Sequence, residues 1–452
     1  MITSIFLFLI TLSAGAQVPA EEFPAGTGTI TDLSVNAFSH PLSGTRAELR
    51  REFVVGNSFF NTVWVTSPAS TTARDGLGPI FNAVACSACH FRDGRGRGLP
   101  DNGGRTDMSL LFRLRQKTST GSLIPHPAYG GQFQPVAIEG VQREGTTSVT
   151  YEKIEISYND GILAEITKPI YEFLNLSYGL LSDTIASPRV APQMVGLGLL
   201  ENVSEKDILA QADPFDMDGD GISGRPNMVH SEKTGTVRMG RFGWKAGKAS
   251  LLEQNAAAFN GDMGITSYLF PQEECTSVQT DCIREMTTED IDRERLHTVT
   301  TYTQLLAVPV RRDFQKPEVI RGNVVFKTIG CASCHTPSFT TMNEGLEPLR
   351  NQTIYPYTDM LLHDMGPDLA DDTEILANED EATTHEWRTP PLWALGLTKT
   401  VNNHTRYLHD GRARNLTEAI LWHGGEGLRA RDNFRALSES ERSDLIEFLN
   451  SL

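Results

Sequence analysis

The sequence predicts a mainly α-helical chain in two similar domains, with long loops and a few short strands. Three observations predict it. The chain has 452 residues, too many for one hydrophobic core. Two Cys-x-x-Cys-His motifs, Cys86-Ser87-Ala88-Cys89-His90 and Cys331-Ala332-Ser333-Cys334-His335, lie 245 residues apart. Each follows a segment of helical periodicity, Leu77 to Val84 and Val319 to Ile329. The 39 glycines and 23 prolines supply the turns.

The repeated motif has a mechanical logic. Two thiols add across the vinyl groups of a haem, and the adjacent imidazole becomes the axial ligand of its iron. A zinc or dithiol redox site is the rival reading. The His directly after both cysteine pairs favours haem. The two domains are therefore expected to be cytochrome c-like, at residues 17–305 (with inserted loops) and 306–452. The expected cofactors are two covalently bound haem c groups, on Cys86, Cys89 and His90 and on Cys331, Cys334 and His335.

Residues 1–16 read as a secretory signal peptide. An apolar run from Ile2 to Leu12 precedes Ala14-Gly15-Ala16, a small-x-small cleavage pattern. A periplasmic or otherwise secreted protein is expected, with no membrane span after cleavage. The formal net charge of −17 disfavours nucleic acid and anionic lipid and would steer a basic soluble partner. Four of the six cysteines belong to the motifs. Cys275 and Cys282 remain and are close enough in sequence for a disulfide in an oxidising compartment.

The sixth iron ligands bear on function. His423 is the candidate for the second haem. Asn415 can cap a helix, Glu418 completes a capping box and Gly424-Gly425 ends it. Leu416, Ala419, Ile420 and His423 then share one face. His363 and Met365 are rivals. His409 sits on an Asp410-Gly411 turn, where it could line a haem edge, and Arg412 or Arg414 could meet propionates. The first haem has no evident partner. His40, His126, His230 and Met108 are the residues that could reach it. Asp216-Met217-Asp218-Gly219-Asp220-Gly221 matches the first half of a calcium loop. Asn227 stands where such a loop needs a bidentate Glu, so Asp216, Asp218 and Asp220 form either a Ca²⁺ site or an acidic turn.

Taken together, these residues resemble the bacterial di-haem oxidoreductase family, whose members are described as peroxidases or thiol oxidoreductases. The resemblance covers most of the mature chain. It is carried by Gly76-Leu77-Gly78-Pro79, Gly196-Leu197-Gly198-Leu199-Leu200-Glu201, the acidic loop and Gly240-Arg241-Phe242-Gly243-Trp244-Lys245. It continues in Leu361-Leu362-His363-Asp364-Met365-Gly366, Glu386-Trp387-Arg388-Thr389-Pro390-Pro391-Leu392-Trp393, His409-Asp410-Gly411-Arg412-Ala413 and His423-Gly424-Gly425-Glu426. The family is similar to di-haem cytochrome c peroxidases. In those relatives the residue at the position of His423 is usually Met or Tyr, so His423 is a departure.

The resemblance implies that a soluble donor, a small cytochrome or cupredoxin, feeds the second haem. Peroxide or O₂ would react at the first, with a carboxylate nearby. Glu201 is the candidate for that acid/base role, His409 is a second catalytic candidate, and Trp244 or Trp393 could lie between the haems. A non-catalytic electron carrier and an O₂-using di-haem oxygenase are the alternatives.

Overall fold

The computed structural model describes residues 20–452, so the expected signal segment lies outside them. Helix makes up 29% and strand 20%. The mainly α expectation is therefore wrong, and the described residues do not show helical cytochrome c domains.

The correction arises largely between the two motifs. Strands β1 (Leu110–Lys117) and β4 (Thr184–Val190) pair antiparallel from Leu110↔Val190 to Gln116↔Thr184. Between them, β2 (Thr146–Ser157) and β3 (Leu163–Leu174) form a long hairpin. Val149, Tyr151, Ile154, Ile156, Ile166 and Tyr171 are residue types that suit a pleated surface better than a helix. Asn159-Asp160-Gly161 closes the turn, where Gly161 has φ 85°, a conformation glycine adopts without steric cost. The first motif also lacks its expected helix. Gly76 at φ 97° and Pro79 interrupt that segment, and Ile80–Phe81 pairs with Val136–Ala137 as a short strand.

The helices that position the site are α1 (Ala47–Asn61), α2 (Cys86–Cys89), α3 (Leu197–Glu201), α4 (Leu251–Met263) and α5 (Arg293–Leu305). They continue as α6 (Pro317–Thr328), α7 (Leu416–Leu421), α8 (Leu428–Ala436) and α9 (Glu439–Ser451). Local chemistry explains their starts. Ser250, Asp292, Asn415 and Ser438 each accept a backbone N–H of the first turn, and Ser438 with Glu441 completes a capping box. Two close crossings depend on glycine. A Cβ on Gly56 of α1 would collide with the Thr298 carbonyl of α5, and one on Gly322 of α6 with the Asp444 carbonyl of α9.

Two Leu-Gly-Leu stretches, Leu197-Gly198-Leu199 and Leu395-Gly396-Leu397, fold alike. Gly196 (φ 70°) opens α3, and Ala394 (φ 61°) opens a single 3₁₀ turn, Leu395–Leu397. Two residues on, Gly198 abuts the Gln304 carbonyl of α5 and Gly396 abuts the Asn450 carbonyl of α9. The same left-handed entry thus seats a short turn against a long helix twice.

The largest apolar core mixes distant segments: Phe38, Phe53, Leu199, Tyr302, Phe339, Leu361 and Trp393 pack together. A second core centres on Val319, Phe326, Trp422, Phe434 and Phe448, and the hairpin contributes Tyr158 and Ile166 to it. The hairpin tip is pinned there by Arg442, which pairs with Asp160 at 2.6 Å, and by Arg435, which donates to the Ser157 carbonyl. No helix among the described residues is long and apolar enough to cross a membrane.

Cys275 and Cys282 are disulfide-bonded, as their spacing predicts. The loop they close carries Gln279, whose Nε2 donates to buried Glu144 at 2.6 Å. Burial pushes the Glu144 carboxyl from 4.5 up to about 8. The folded chain therefore keeps a proton there that the unfolded chain releases once pH passes its ordinary value. Stability should fall as pH rises from about 4.5 to about 8. Glu144→Gln should flatten that part of the profile, and urea midpoints across the range check it.

Candidate functional site

Both motifs open onto one cavity of about 950 Å³. The first lies on α2, a single turn whose C-cap is His90, and the second follows α6 as another single turn. Their four cysteines are half-buried and unbonded. Burial, with the charge of Asp262 adding to it, pushes Cys86 up to about 12, and burial does the same to Cys331. Thiols held protonated in this way are poor zinc ligands and poor redox nucleophiles.

Three imidazoles on the cavity wall share one arrangement. His90 Nδ1 donates to the Pro192 carbonyl at 2.7 Å, and His335 Nδ1 to the Tyr357 carbonyl at 2.9 Å. His423 Nδ1 donates to the Ala419 carbonyl at 2.7 Å, within the last turn of α7. Each bond fixes the tautomer and leaves Nε2 for a metal. Burial pushes His90 and His335 down to about 4 and lowers His423, so all three rings are neutral at pH 7. The charge of His423 also disfavours that of His335, and both rings line the cavity. Met365 is close to His423, since both touch the position of Gly427.

His363 is differently placed. Its Nε2 meets Asp359 at 2.8 Å and its Nδ1 meets Glu426 at 2.6 Å. Burial opposes its charge, but Asp359, Cys334 and Glu426 together outweigh burial and raise it well above the ordinary value. With both nitrogens engaged, His363 has no lone pair to offer iron.

Among the described residues, no further imidazole on the cavity wall shows this Nδ1-to-carbonyl bond. His40 pairs with Asp32, and His126 accepts backbone N–H groups of Ala128 and Tyr129. Neither lines the cavity, nor does His230; Met108 does, at its exposed edge.

Glu201 lies off the cavity wall. Its Oε1 accepts the Leu251 N–H at 2.8 Å, capping α4, and its Oε2 accepts from Gln304 at 2.6 Å. Of the carboxylates that line the cavity, Asp262, in the last turn of α4, is the one whose charge bears on both Cys86 and Cys89. Its Oδ1 accepts from Gln132 Nε2 at 2.9 Å, and its backbone carbonyl accepts the N–H groups of Asn82 and Ala83. Burial raises its carboxyl above the usual range. Nothing in the sequence distinguishes Asp262 from the other acids, because its place depends on how α4 docks.

His409 is buried on the cavity wall and stacks on Trp387, with ring centroids 3.8 Å apart and an interplanar angle of 10°. The Lys245 ammonium lies 3.9 Å from the same Trp387 ring and pairs with Asp371 at 3.1 Å. Burial pushes His409 down to about 3. Arg412 is committed to Asp410, and Arg414 to Glu418 and Glu165. Trp244 lines the cavity, its Nε1 donating to the Val190 carbonyl, whereas Trp393 sits in the core and does not. In the acidic loop, Asp213, Asp216 and Asp218 converge. Asp220 instead accepts the Ile222 N–H through its side chain.

A shared cavity, protonated cysteine pairs and neutral imidazoles with a free Nε2 would suit an iron-bearing group at each motif. Comparison with known proteins gives the same class. The family model described as "Di-haem oxidoreductase, putative peroxidase" matches residues 21–452, and the chain belongs to that family. No curated protein and no solved structure matches the chain.

The placement of Glu201 carries a stability consequence. Glu201→Ala should destabilise the fold by about 1 kcal/mol through the lost helix cap, as read by urea unfolding. An unchanged midpoint would show that the carboxylate does not cap α4.

Proposed function

We propose that this di-haem oxidoreductase is an exported c-type peroxidase. The supporting observation is the inequality of the two motifs: the charge of His423, on the same cavity wall, disfavours that of His335, and among the described residues no imidazole bears on His90 in this way. The bound haems would supply electron storage at the His335 site and peroxide reduction at the His90 site. The cysteines would hold them by thioether bonds, and His90, His335 and His423 would ligate iron through Nε2.

The chain's own residues then divide the remaining work. Asp262, rather than Glu201, is the acid/base group in this reading. It is half-buried, keeps its proton to higher pH than a free carboxyl, and is oriented by Gln132. That suits delivery of a proton to a departing oxygen. His409 keeps a neutral ring on the same wall, where it would accept or pass a proton. The acidic loop is read as a Ca²⁺ site through Asp213, Asp216 and Asp218. The donor is read as a basic small cytochrome or cupredoxin, drawn by the net charge of −17.

Ferric electron paramagnetic resonance tests the proposal, together with peroxide turnover by a reduced donor. One high-spin and one low-spin haem, with turnover, is the expected outcome. Two low-spin haems in every redox state without turnover would favour an electron carrier instead. His423→Ala should convert the low-spin signal to high-spin. Asp262→Asn should keep both haems and lower kcat about 10²- to 10⁴-fold.

A further inference from the structure

Two cavity-lining arginines have no carboxylate in ion-pair contact among the described residues, and feel Asp410 and Asp359 only from further off. Arg95 follows the first motif by five residues, and Arg388 lies in the strand Glu386–Arg388. Both line the shared cavity and are buried, at 8% and 9% exposure. Arg95 donates from Nε to the Arg406 carbonyl at 2.8 Å and from Nη2 to the Leu408 carbonyl. Arg388 donates from Nε to the Gly243 carbonyl at 3.0 Å and from Nη1 to the Thr389 carbonyl at 3.1 Å.

Among the described residues, Nη1 of Arg95 and Nη2 of Arg388 have no acceptor, and neither guanidinium has a carboxylate within 4.0 Å. The nearby acids are committed elsewhere. Asp410 pairs with Arg412 at 2.8 Å, and Asp359 with His363 at 2.8 Å. Some other buried cations of this chain do have such partners, Lys245 with Asp371 and Arg311 with Glu21. Burial pulls Arg95 and Arg388 down only to about 10, so both stay charged at neutral pH. A buried, uncompensated cation is costly, and an anion that enters the cavity would relieve it.

Both arginines flank Trp244. The Arg95 guanidinium carbon lies 5.3 Å from its ring centroid, and the Arg388 N–H donates to its backbone carbonyl at 2.8 Å. Three separate segments therefore meet at one stretch of cavity wall.

We propose that Arg95 and Arg388 form the carboxylate-binding site of this cavity and that its ligands are haem propionates. A haem carries its two carboxylates at the ring edge remote from the vinyl carbons that the cysteines take. Guanidinium is the side chain suited to meet a carboxylate by charge-assisted hydrogen bonds. The inference rests on haem occupancy of both motifs, and the experiment separates the two claims.

The holoprotein is compared with Arg95→Gln and Arg388→Gln. Haem per chain is read by pyridine haemochrome and intact mass, and the two midpoint potentials by spectroelectrochemistry. Two haems per chain are expected throughout. Loss of a positive charge beside a propionate disfavours the reduced form. Each variant should lower one haem's one-electron equilibrium constant about tenfold, about 59 mV, and Arg→Lys at the same position should restore most of it.

If the arginines only clamp the loop at 406–408 and Gly243, denaturation midpoints will fall while both potentials stay put; that result overturns the inference and leaves the functional reading intact. A wild-type protein without haem overturns both. Resonance Raman spectra of the wild-type holoprotein give a reading that needs no variant. Propionate-bending bands that shift in D₂O support N–H donors on the carboxylates, and bands insensitive to deuteration overturn the proposal.

Discussion

The donation of an imidazole Nδ1–H to a main-chain carbonyl is the interaction on which the site depends. It occurs at His90, His335 and His423, with acceptors Pro192, Tyr357 and Ala419. The bond settles which nitrogen carries the proton, and burial settles that there is only one. A charged ring could not present a lone pair, and a freely rotating one would present it in the wrong direction. Much of the surrounding structure maintains this condition. The cap at Asn415 sets where α7 starts, so that His423 falls just past its end within reach of the Ala419 carbonyl. His363 shows the opposite outcome in the same cavity: two carboxylates hold the ring charged, and it becomes a structural cation.

What was legible in the sequence was local. The Asn415 cap and the Cys275–Cys282 pairing each depend on residues a few positions apart, and each appears as read, although the Glu418 carboxylate turns to Arg414 rather than completing a capping box. The fold class was misread because the motifs drew the expectation towards helix. The alternating β-branched and aromatic residues of the hairpin were visible, but what β2 and β3 cover was not, since it lies in the C-terminal part of the chain. The site residues divide in the same way. Glu201 follows a motif-like glycine run, yet its carboxylate is claimed by Leu251 and Gln304. Asp262 matters only because a helix end docks beside Cys86, and no local pattern encodes docking.

The fold also repeats itself more than its cores suggest. Gly196 and Ala394 make the same left-handed entry, and Gly198 and Gly396 make the same close approach to a helix carbonyl. The repeat is most exact where the backbone is most crowded, at positions that tolerate no added atom. The side chains around it diverge freely.

The hairpin has a consequence for biosynthesis. Tyr158 and Ile166 find their partners at Phe434 and its neighbours, about 270 residues later in the chain. A hairpin that forms during synthesis would therefore leave an apolar face uncovered until those partners emerge. Lys153, Glu155, Glu165 and Lys168 alternate along it with both signs of charge, which discourages edge-to-edge pairing between nascent copies. The charges that look like simple surface decoration in the finished protein are thus best placed to act before it is finished.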